Sequence, residues 1–181
     1  MSGQIAVIDE GPTAEQRRRF TFEEAPLQEG TVLKGRAYRR VPHFRTLVAS
    51  GVLGEELGQV LGWYRDRWDI AQYSPLRDSL GKHQPHGGGG NVEAWRARIL
   101  DAQDDVDYAE RGVHPWLRIT IRAMVLLDMS AADLARERHG CEKPHSRQVT
   151  RIMNELRTGA CQMLAQVKHI VDAEEAKRRA F

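Results

Sequence analysis

The 181-residue chain has few cysteines, no long apolar run and no large excess of either charge. Each shortage removes a class of protein. Two cysteines, Cys141 and Cys161, cannot make a disulfide framework, so a reducing cytoplasm is the expected compartment. A membrane-spanning helix would need about 18 or more consecutive apolar residues, and no such run occurs. The opening "MSGQIAVIDEGPTAEQRRRF" lacks a basic region followed by an apolar core and does not read as a secretory signal. There is no phosphate-binding glycine loop, nucleophile elbow or H-E-x-x-H, and neither enzymatic activity nor a cofactor is expected.

What is present is a globular composition, 41% hydrophobic and 29% charged, with a formal net charge of only +2. The charge is unevenly spread. Residues 1–30 carry 3 basic and 6 acidic side chains, and residues 91–115 carry the same numbers. Residues 31–90 carry 9 and 5, and residues 116–181 carry 12 and 8. Mildly basic segments alternating with acidic ones are compatible with a nucleic-acid footprint, although solvated helix faces produce similar swings.

The pattern predicts an all-α fold. Residues 1–30, with Gly11, Pro12, Pro26 and Gly30, read as a flexible acidic leader. Residues 31–82 read as an N-terminal helical lobe. Pro42 suits a first helical position, with Phe44, Leu47 and Val48 on one face and Gly51 as the stop. Leu53, Leu57, Val60, Leu61, Tyr64, Trp68 and Ala71 then recur at helical steps, and Ser74-Pro75 ends that stripe. Trp63, beside Gly62 and near Arg65 and Arg67, has room to face outwards. Residues 83–90, which include Gly87–Gly90, read as a linker, because glycine runs lose the most backbone entropy on ordering.

Residues 91–181 are expected to form a second lobe that folds alone. Asn91 caps a helix with Val92, Trp95, Ile99, Ala102 and Val106 on one face, closed by Gly112. "PWLRITIRAMVLLD", from Pro115, reads as one buried helix. Ser130 and Asp133 make a capping box, with Met129 stapling onto Leu134, and the short helix stops at Gly140. After a corner, Pro144 stands where a first helical residue would. Val149, Ile152, Met153, Leu156, Ala160, Met163, Leu164 and Val167 follow as the apolar face of the last helix.

The opposite face of that helix carries the chemistry. Arg147, Arg151, Asn154 and Thr158 point nearly away from the apolar stripe, flanked by Gln148 and Thr150. Arginine can grip guanine in a bidentate fork, Asn and Gln can do the same to adenine, and all reach phosphates. His145 and Ser146, at the helix entry, suit phosphate contact. A short helix, a corner and a longer helix over about residues 130–166 make a helix-turn-helix the expected motif. A solvated helix face is the alternative, and Glu155 is the acid near the stripe.

No metal site is expected. His139, Cys141 and His145 lie close in sequence but lack a second cysteine or a carboxylate at ligand spacing, and Cys161 lies about five helical turns away. His83 and His86 sit in the glycine-rich linker without further ligands. The acidic run of Asp101, Asp104, Asp105, Asp107 and Glu110 reads as a solvated helix face rather than a cation site.

"LARERHG", the corner and "SRQVTRIMNELRTGACQML" resemble the helix-turn-helix of the fourth region of bacterial sigma factors. A broader similarity, over about residues 36 to 166, includes "GWYRDRWDIAQYSPLRDSL", the glycine-rich break and the acidic helix. It resembles alphaproteobacterial phage-like regulators, the gene transfer agent activators among them. Where that domain commonly has a Trp-Pro corner, this chain has Cys141-Glu142-Lys143-Pro144. The resemblance implies a transcription regulator acting through DNA and RNA polymerase, by activation or antitermination. A sigma factor and a co-activator protein are candidate further partners, and no membrane is involved. The alternatives are a stand-alone DNA-binding phage regulator and a DNA-packaging protein of the small-terminase kind.

Overall fold

The computed structural model describes residues 21–25, 37–72 and 92–179. Two short strands come first, β1 (Phe22–Ala25) and β2 (Ala37–Arg40), paired antiparallel with Phe22 opposite Arg40 and Ala25 opposite Ala37. The hairpin was not foreseen, and it lies across the expected boundary between leader and lobe at residue 30. Two four-residue segments are too short for a period-2 pattern to stand out from a mixed-charge background.

Helices follow: α1 (His43–Ala49), α2 (Glu55–Ala71), α3 (Val92–Arg111), α4 (Pro115–Ile121), α5 (Ala131–His139) and α6 (Ser146–Arg179). The helical class holds, and every described core residue lies on a helix or on a turn between helices. α2 buries Val60, Leu61 and Tyr64, part of the stripe read from the sequence. Glu55 and Glu56 sit in its first turn, where the helix dipole favours negative charge. α6 buries Ile152, Leu156, Ala160, Met163, Val167 and Val171 along a helix of about 51 Å at 1.5 Å per residue.

Two lobes were expected, but α2 packs on both α3 and α6. One hydrophobic cluster runs from Phe44 on α1 to Val171 near the end of α6. The apolar stripe of α2 is complementary to faces of α3 and α6, so the N-terminal helices complete the core of the C-terminal ones. Residues 83–90, the Asn91 cap and the Ser74-Pro75 stop lie outside the described residues, as do residues 1–20 of the leader. Trp63 is buried, at 7% exposure, with the Arg67 guanidinium 5.8 Å from its ring centroid. The outward orientation open to it in the sequence is therefore not the one it takes.

"PWLRITIRAMVLLD" is not one regular helix. After α4 the chain widens into a π-helical segment, Arg122–Leu126, in which the Leu127 N–H donates to the Arg122 carbonyl at 3.1 Å. Arg65 of α2 donates to the Val125 carbonyl at 2.9 Å, so a group near the end of the helix finds a partner outside it. Asp128 then turns the chain with φ 56°, and its carboxylate accepts from the His43 backbone N–H at 2.6 Å, tying α1 to this corner.

A buried polar knot joins α2, α3 and the π segment. Glu110, 6% exposed, accepts from the Tyr64 hydroxyl at 2.6 Å and from two Arg122 nitrogens at 2.8 and 2.5 Å. Burial pushes the Glu110 pKa up, but the Arg122 and Tyr64 hydrogen bonds outweigh it and hold the carboxyl below its ordinary range. Burial, reinforced by Glu110, pushes Tyr64 far above its ordinary value. The Arg122 guanidinium also lies 5.2 Å from the Trp68 ring centroid.

Two outcomes follow from this packing. A fragment spanning residues 92–179, stripped of α2, should expose its core, binding a hydrophobic dye and melting non-cooperatively, whereas the full chain melts in one transition. Tyr64→Phe should lower stability by about 1–3 kcal/mol in urea unfolding at neutral pH, as expected for a hydrogen bond to a charged group. Because the folded pKa of Glu110 is depressed, its contribution is fully present above about 4.5 and is lost as pH falls through the depressed value. The penalty of Tyr64→Phe should therefore shrink in unfolding curves taken below that window.

Candidate nucleic-acid interface

The two helices around the corner end and begin as their local sequences dictate. Ser130 and Asp133 form the reciprocal capping box at the start of α5, and Gly140 closes the helix at φ 60°, a conformation most L-residues avoid. α6 starts at Ser146, two residues later than a first-turn Pro144 would place it. Its entry is secured by Gln148, whose side-chain oxygen accepts from the His145 backbone N–H at 2.8 Å. Gln148 thus serves the helix end from the corner side.

Six of the eight sequence-predicted contact residues come together. Ser146, Arg147, Thr150, Arg151, Asn154 and Thr158 line one open groove of about 580 Å³ on the outer face of α6. His145 is exposed at the corner and Gln148 is half-buried, and neither lines the groove. The other wall comes from α4, through Trp116 and Leu117. Gly159 permits this approach. A Cβ there would sit 2.8 Å from Ile121 Cδ1 and 3.3 Å from Leu117 Cβ, so a larger residue would force the Ile121 side chain to shift and crowd the α4–α6 crossing.

The floor of the groove holds a second carboxylate knot. Glu155 accepts from Arg138 of α5 at 2.6 Å and from the Thr120 hydroxyl of α4 at 2.9 Å. Arg138 also donates to the Thr120 hydroxyl oxygen at 2.7 Å, and its guanidinium lies 4.9 Å from the Trp116 ring centroid. Burial raises the Glu155 pKa, but hydrogen bonds from Arg138, Thr120 and Trp116 bring it below the ordinary value. Three helices therefore meet on one carboxylate. Arg151 approaches Glu155 at 3.3 Å, yet its side chain stays 72% exposed and free to turn outwards.

Trp116, Thr120 and Arg138 were missed by sequence reasoning as parts of this site. Arg138 stands seventeen residues from Glu155, across a corner whose geometry no helical period predicts. The proximity of Glu155 to the stripe was the sole legible hint. Elsewhere, Asp105 of the acidic run pairs with Arg67 at 3.3 Å, and Arg67 also meets Glu174. Glu110 from the same run is the buried knot described above, not part of a solvated face. Among the described residues, no group of three or more His, Cys, Asp or Glu side chains is arranged to hold a metal ion. No helix among them is long and apolar enough to cross a membrane.

Comparison with protein-family models, curated proteins and solved structures finds no match to this chain.

The groove residues separate into those that hold the fold and those that do not. Glu155→Ala should destabilise by about 3 kcal/mol in urea unfolding, since it strands a largely buried Arg138. The partner Thr120 softens that loss. Arg151→Ala should change stability by no more than about 0.5 kcal/mol, because an exposed i,i+4 pair contributes little. A larger loss at Arg151 than at Glu155 would reverse these roles.

Proposed function

We propose that this protein is a transcription regulator of phage-like or gene transfer agent type, acting through DNA and RNA polymerase from a sigma-like helix-turn-helix. The observation that carries the reading is the gathering of Arg147, Arg151, Asn154 and Thr158 on one exposed face of α6, in a groove beside the α5–α6 corner. The side-chain types match those that bind phosphates and base edges. The mounting suits the task as well. The far end of α6 is anchored in the core through Val167 and Val171, so its first turns present the groove from a rigid support. The resemblance to gene transfer agent activators supplies the polymerase part of the proposal, with a sigma factor or co-activator as further contacts and the cytoplasm as the place of action.

The test is retention of RNA polymerase subunits from lysate by the tagged full-length chain, with and without DNase. Retention that survives DNase supports polymerase contact. Retention lost with DNase leaves a stand-alone DNA-binding regulator, and ring-shaped oligomers in light scattering would point to DNA packaging. On naked duplex DNA, Arg147→Ala with Arg151→Ala should lower the salt slope by about two units if each contacts a phosphate, with the thermal melt unchanged. If the double variant keeps duplex binding but loses polymerase, this face docks protein. If it keeps both, the face is not functional.

A further inference from the structure

Trp116 is the anomaly of this surface. It is 48% exposed, yet its position is fixed: Arg138 covers its ring at 4.9 Å, and Arg138 is itself pinned by Glu155 and Thr120. The close crossing at Gly159 sets the backbone of α4 against α6 beneath it. The indole N–H serves the knot by bonding to Glu155, yet nearly half of the side chain stays open to solvent beside the groove. The α6 side of the same groove carries Arg147 and Arg151, the Asn154 amide and the Thr150 and Thr158 hydroxyls. One wall is aromatic, the other cationic and hydrogen-bonding.

A nucleotide has the same division, a flat aromatic base on an anionic phosphate. In intact duplex the bases are stacked on each other and offer no ring face, whereas an unpaired base does, and stacking on protein aromatics tolerates any base. We infer that the α4–α6 groove takes an unpaired nucleobase of single-stranded or locally opened DNA, stacked on Trp116, with its flanking phosphates on Arg147 and Arg151. Glu155 does not oppose this, because its charge is matched by Arg138 at 2.6 Å. The inference rests on the proposed nucleic-acid role of α6 and adds to it a preference for opened over closed DNA.

The experiment uses the full chain and three fluorescent probes: a mixed-sequence single strand, a fully paired duplex, and the same duplex with one unpaired bulged base. Anisotropy titrations should show tighter binding to the bulged duplex than to the paired one. Trp116→Ala should weaken bulged-duplex and single-strand binding about tenfold while changing paired-duplex binding less than twofold. Trp116→Phe, which keeps an aromatic face but loses the indole N–H bond to Glu155, should restore most of the loss, and an unchanged urea-unfolding midpoint in both variants shows that the Arg138–Glu155 knot is intact. Equal affinity for the three probes, or equal losses on all of them in Trp116→Ala, overturns the inference while leaving duplex binding in place. No binding to any probe removes the DNA part of the proposed function and the inference together.

Discussion

A carboxylate cannot enter a protein core without partners, because losing its water costs more than packing returns unless charge and hydrogen bonds replace it. Glu110 meets that constraint with one guanidinium and one phenol, Arg122 and Tyr64, supplied by different elements. The requirement is geometric as much as energetic. Satisfying Glu110 places α2 against α3 and sets where the chain after α4 must pass, and the π turn at Arg122–Leu126 carries Arg122 there. Apolar packing of Leu61 or Met124 favours contact but tolerates sliding, whereas the knot allows one register. The hydrophobic cluster contributes the bulk of the stability, and Glu110 selects among the arrangements it would accept.

Glu155 repeats the device nearer the surface with a different result. Its partners come from α4, α5 and α6, so the angle between the two helices of the expected helix-turn-helix is set by Arg138 and Thr120 as well as by apolar contact. Arg151, on the same carboxylate, remains largely in solvent. The division is useful. The inner guanidinium is structural and immobile, while the outer one pays little to leave and reach a ligand. A surface built this way is preorganised in its frame and adjustable at its tips, as the proposed binding role would require.

The helices were legible because each buries a stripe with a 3.6-residue period, and the α5 capping box and Gly140 stop were legible because their chemistry is local. The face formed by Arg147, Arg151, Asn154 and Thr158 was legible for the same reason, as an arc on one helix. What escaped depended on meetings between distant segments. Tyr64 read as an apolar stripe member and Glu110 as part of an acidic run, and nothing in their spacing announces a bond 46 residues apart. The packing of α2 on α3 and α6 was not legible on similar grounds, because a glycine run marks a break in local structure and says nothing about whether the flanking helices pack on each other. Trp116 read as core from its place in an apolar segment. Its exposure depends on how α4 lies against α6 near Gly159, a tertiary fact.

The modest charge of the groove bears on how such a surface would work. Two arginines neutralising one phosphate each release few counterions, giving a salt slope near about −2 on duplex DNA and weak non-specific binding at physiological ionic strength. Under the proposed function, affinity would come largely from a source other than phosphate contact, either a second protein that holds the chain near DNA or a base made available by strand opening. The two sources reinforce each other at a promoter, where polymerase both tethers its partners and melts the duplex. An aromatic wall beside a sparsely charged helix face is poorly suited to a repressor that must find closed DNA alone. It suits the proposed regulator better, one that a partner would bring to DNA already being opened.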